Sequence, residues 1–134
     1  MNDFIGALQN ILEEHFETVR VSAVQNQDQL LQEIRAINPE KLPGVIIIFD
    51  DMLLNSSEGI QEFRFTLVAV AKFTAASSEK AIRAFSCVEN LLELFPADGR
   101  IIDEMFVIPT DCQSASPAAN YAAFALGITA KKGF

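Results

Sequence analysis

The stretch Phe63-Arg64-Phe65-Thr66-Leu67-Val68-Ala69-Val70-Ala71-Lys72-Phe73 decides how this chain is read, because nothing else in it alternates for so long. Its odd positions make a continuous apolar row of Phe63, Phe65, Leu67, Ala69, Ala71 and Phe73. Its even positions, Arg64, Thr66, Val68, Val70 and Lys72, are half polar. Successive side chains of a strand point to opposite faces, so the pattern predicts one face on a core and one free to meet a partner. Upstream, Val45-Ile46-Ile47-Ile48-Phe49 is apolar at every position, which is how a central strand covered on both sides reads. Downstream, the spacing predicts a long helix over 78–95. Ser77 or Ser78 caps it, Ile82, Phe85, Val88, Leu92 and Phe95 form its buried stripe, and Pro96 with the Asp98-Gly99 turn ends it.

Working outward, Phe4, Ile5, Leu8, Ile11, Leu12 and Phe16 recur at helical steps, with Asn2 or Asp3 as cap and Glu13, Glu14 and Glu17 on the outer face. His15 falls on that apolar stripe and reads as a partly buried helix residue. A short strand comes next over 19–24, then a helix over 28–37 carrying Leu30, Leu31, Ile34 and Ile37 on one side. After the loop that succeeds Asp50, and beyond the long helix, two further strands are expected over 104–112 and 120–130. The order implies one α+β domain over residues 1–134. Its sheet is expected to be mostly antiparallel and four- to five-stranded, with two to three helices packed on one face.

The 134 residues are 50% hydrophobic and 21% charged, so the chain has enough apolar surface for a real core. Eighteen acidic against ten basic residues leave a net charge of −8, which argues against a protein that works by gripping nucleic-acid phosphates. No apolar run approaches the ~20 residues of a membrane span. Cys87 and Cys112 lack any CxxC spacing and read as two small buried hydrophobes that stay reduced.

No constellation meets the requirements of catalysis. There is no phosphate-cradling glycine loop, and no nucleophile elbow to work with the single His15. Asp50-Asp51 at a strand end are the acids worth weighing, since strand-end carboxylates hold Mg²⁺ in some nucleases. The partner acid two residues before Lys72 is Val70, so the pattern breaks and the two read as solvated turn residues. Neither a catalytic residue, a metal nor a cofactor is expected.

The order of elements resembles the Mu-like phage tail terminator and small tail-completion family. The pieces that carry the resemblance are the Val-x-Val strand at 19–24 and the apolar strand at 45–50. To these are added the long strand from Phe63, the helix ending in Leu91-Leu92 before its turn, and the closing hairpin of 104–130. The chain departs from the pattern in the apolar Met52-Leu53-Leu54 after Asp50. The resemblance implies a structural protein of a virion tail, made in the bacterial host cytoplasm. It would form a homohexameric ring that caps the tail tube and joins it to the head. Its partners would be further copies of itself, the tail tube protein and the head connector or neck proteins, with no specific nucleic-acid binding and no membrane. A head-tail joining (neck) protein of the same small fold, or an α+β interaction module outside phage biology, are the alternatives. An acidic wall suits a channel that passes DNA without holding it. The expected subunit contact sets the mixed strand face (Arg64, Thr66, Val68, Val70, Lys72) against Glu13, Glu14 and Glu17 of a neighbour. Met52, Leu53 and Leu54 are the expected tube- or neck-contact loop.

Overall fold

The computed structural model describes residues 2–55, 60–72, 77–114 and 121–132. Within those segments, some side chains stay outside the description, among them those of Leu54, Lys72 and Cys87. The chain runs α1 (Asn2–Glu13), β1 (Thr18–Ser22), α2 (Gln27–Ala36), a 3-10 turn (Pro39–Lys41), β2 (Gly44–Asn55) and β3 (Ile60–Lys72). It continues through α3 (Ser77–Leu94), β4 (Arg100–Ile102), β5 (Met105–Ser114) and β6 (Tyr121–Lys132). The class is α+β, as expected. The sheet has six strands in the order β1-β2-β3-β6-β5-β4, parallel between β1 and β2 and antiparallel elsewhere.

Two apolar clusters sandwich the sheet. On one face Phe4, Leu8, Leu12 and Phe16 from α1 and its exit, with Leu91, Leu94 and Phe95 from the end of α3, pack on Val45, Ile47, Phe65, Leu67, Leu126 and Ile128. On the other face α2 lays Leu30 and Ile34, with the adjoining Ile37, over Ile46, Ile48, Val68, Val70 and Ala123. Asn26 starts α2 by accepting the Gln29 amide on its side chain, supplying one of the bonds a helix start lacks. The helices therefore lie on both faces rather than one.

That second layer corrects the expected interface. Val68 is 2% exposed and Val70 0%, so both belong to this chain's own core. The cause is visible in the register, where Val68 pairs with Ile46 and Val70 with Gly44 on the strand that α2 covers.

Three further expectations shift. The α3 stripe is Val88, Leu91, Leu94 and Phe95, while Ile82, Phe85 and Leu92 point outward, Ile82 at 65% and Phe85 at 60% exposure. The first helix ends at Glu13, so His15 sits in the exposed turn after it while Phe16 folds back into the core. The three-residue β4 has no counterpart among the expected strands. It enters through Gly99, at φ +85° beneath the Phe106 ring, where a side chain would collide. It joins β5 through Asp103 and Glu104, both at positive φ, which is the backbone a two-residue hairpin turn demands.

Val68→Asp should unfold the protein rather than loosen an assembly. An unpaired carboxylate between α2 and the sheet costs on the order of 3–5 kcal/mol, much of a small domain's ~5–15 kcal/mol. Urea denaturation monitored by circular dichroism measures it, and a near wild-type midpoint would contradict the burial.

Candidate functional site

The most distinctive surface feature grows from unequal strand lengths. β1 stops at Ser22, opposite Ile48, whereas β2 runs on to Asn55 paired only with β3. Among the described residues, the outer edge of β2 beyond Ile48 therefore has no neighbouring strand in the sheet. A bulge between Phe49 and Asp51 shifts the register there. This outer stretch of β2, here called the arm, carries Phe49, Met52 and Leu53 at 49%, 46% and 46% exposure, while β3 beside it stays paired with β6 down to Gln61. The Phe49 ring also meets Phe65 edge-on at 5.4 Å, and Phe65 meets Phe4, so the base of the arm is anchored to α1 through aromatic contacts. Met52 and Leu53, expected in a loop, are strand residues; the Leu54 side chain lies outside the described residues.

Beside the arm the sheet face beyond α2 is polar and internally paired. Arg64 donates to both carboxylate oxygens of Asp51, a forked pair across the β2–β3 register. Thr66 donates to Asp50 at 2.7 Å, and Lys131 lies 3.6 Å from Glu62. The Arg64 guanidinium holds the Asp51 carboxyl below the usual carboxylate range, and Asp51 in turn raises Arg64. Asp50 and Asp51, expected as solvated turn residues, are exposed as expected but lie within β2, bonded to Thr66 and Arg64. On β5 Asp111 receives Thr110 at 3.3 Å and Gln113 at 3.1 Å. Next to it Cys112 is exposed, not buried as expected. Partial desolvation of its sulfur, and secondarily the Asp111 charge, push its thiol up, away from the reactive thiolate.

Glu13, Glu14 and Glu17 sit elsewhere, at the exposed end of α1 and the turn into β1. Thr18 of that strand pairs with Gly44, the first residue of β2, while Arg64 pairs with Asp51 towards the arm. Within one subunit the two halves of the expected contact are thus far apart. The face holds Arg64 and Thr66 together, removes Val68 and Val70 into the core, and leaves the Lys72 side chain outside the description.

Chemically, this surface offers apolar contact and paired charges. Among the described residues no group of three or more His, Cys, Asp or Glu is placed to hold a metal ion, and no helix is long and apolar enough to cross a membrane. Neither the protein-family models nor the curated proteins contain a match to this chain. Phe49 is the site residue that sequence reasoning missed. It looks like the last residue of a buried strand, and only the early end of β1 uncovers it.

The forked pair has a measurable signature. Asp51 should titrate below an ordinary aspartate in the folded protein and return to the ordinary range in Arg64→Ala, read by NMR of the carboxyl carbon. Because its folded pKa is depressed, whatever stability the pair adds is present above the unfolded value near ~3.9. That contribution is lost as pH falls through the lower folded value. An unshifted Asp51 in the wild type would show the pair to be absent in solution.

Proposed function

We propose that this chain is a structural subunit of a phage or prophage tail, a terminator that closes into a ring on the end of the tail tube. The observation that supports this reading best is the outer stretch of β2 beyond β1, with Phe49 and Met52 exposed on one face of it and Leu53 on the other. Large apolar side chains grouped on a surface are costly to leave in water and mark a contact site. A terminator needs one repeated head-to-tail contact that closes, most simply as a hexamer, and one ring face kept for the tube. In this contact the arm takes the place of Val68 and Val70. Arg64 and Thr66 flank it, and Glu13, Glu14 and Glu17 supply acidic surface at the opposite end of the subunit. The order of secondary-structure elements, which carries the resemblance to the terminator family, adds to this reading.

Native mass spectrometry across a concentration series tests it. The wild type should give a closed oligomer, and Met52→Asp with Leu53→Asp should give a monomer. Exposed positions tolerate such changes within about ±0.5 kcal/mol each, so unfolding should be little affected. A ring that ignores both substitutions, or a wild type that stays monomeric even with tail tubes added, would refute the proposal.

A further inference from the structure

A cleft of about 620 Å³ runs along the outer edge of β1, which ends the sheet on that side. Thr18, Val19 and Arg20 line its floor. The end of α1, with Glu13, Phe16 and Glu17, forms one wall; the end of α2 and the 3-10 turn beyond it, with Ala36, Ile37 and Lys41, form the other. Since α1 and α2 cover opposite faces, the cleft wraps the rim of the sheet, and a free strand edge lies at its bottom.

We propose that this cleft takes an extended, lysine- or arginine-bearing segment of another protein chain, which adds to the sheet as a further strand beside β1. A strand edge presents alternating backbone donors and acceptors that an added strand satisfies, and the flanking helices give it walls. The five residues of β1 span roughly 17 Å, room for a segment of about equal length. Val21, half exposed on this strand, gains cover from it.

The charge preference comes from the α1 wall. The last turn of α1 holds no basic residue, so the negative end of its dipole is uncompensated. Glu13, Glu14 and Glu17 stand there without an ion-pair partner among the described residues. On the floor, Arg20 is already engaged by Glu33 at 3.2 Å, and Lys41 stands at the opposite wall. An acidic segment would meet the like charges of Glu13 and Glu17, whereas a basic one that runs along the α1 wall, away from Lys41, is steered in by them. The α1 glutamates are shared with the ring contact proposed above, but the two readings separate by test: peptide binding reads the β1 rim of the single subunit, whereas native mass spectrometry reads assembly.

Three synthetic ten-residue peptides test it on the wild-type protein. The first alternates valine or threonine with lysine, the second has glutamate at the lysine positions, and the third keeps lysine but places proline at alternate positions. Titration calorimetry at low salt should show the lysine peptide binding at least tenfold tighter than the other two. Hydrogen exchange should slow at the β1 amides when it is bound. Glu13→Lys with Glu17→Lys should reverse the order of the lysine and glutamate peptides. No binding at millimolar peptide, equal binding of the proline peptide, or protection confined to residues other than 17–22 would each overturn the proposal. Should the double variant fail to fold, the three peptides on the wild type decide alone.

Discussion

Everything in this fold depends on two adjacent strands being buried from both sides. Ile46 and Ile47 are neighbours in β2, both fully buried, and they belong to different apolar clusters on opposite faces of the sheet. A strand in that position cannot tolerate water on either face, so α1 and α3 must close one side and α2 the other. The crossover through α2 is also what makes β1 and β2 parallel, since a parallel pair needs a connection long enough to cross the sheet. Once α2 lies across Ile46 and Ile48, the facing residues of β3 are covered as well. The half-polar face of the longest strand is thereby divided into a buried part at Val68 and Val70 and an open part at Arg64 and Thr66.

That division shows what the residues disclose and what they conceal. The unbroken apolar run from Val45 to Phe49 announces double coverage, and the apolar side of α2, Leu30, Ile34 and Ile37, needs a surface to rest on. Together they imply that the strand pairing with Val45–Phe49 is covered beside it, which Val68 and Val70 by themselves do not reveal. The arm is concealed for a local reason. Met52, Leu53 and Leu54 lack the β-branching that marks strands, and the bulge after Phe49 breaks the alternation that would have extended the strand to Asn55. In α3, apolar residues on more than one side leave the rotation of the helix open, and only contact with β3 and β6 selects Val88, Leu91 and Phe95 over Ile82 and Phe85. A three-residue strand such as β4 has too few positions for any period to show.

The long strand β2 also sets the polarity of the molecule. Gly44 opens it beside Thr18, next to the glutamates that end α1, and Asn55 closes it at the far end of the arm. Twelve residues of strand put these ends roughly 35 Å apart. One end is acidic and offers an open sheet rim; the other is apolar, with Asp51 paired to Arg64 and Glu62 to Lys131 beside it. Glutamates repel glutamates, so the acidic end does not favour a copy of itself, whereas the apolar end gains from any apolar cover. The ring proposed above joins unlike ends, and a contact of that kind runs head to tail. In that proposal the strand β2, by holding the two chemistries apart, gives each subunit one end that receives a neighbour and one that it offers onward.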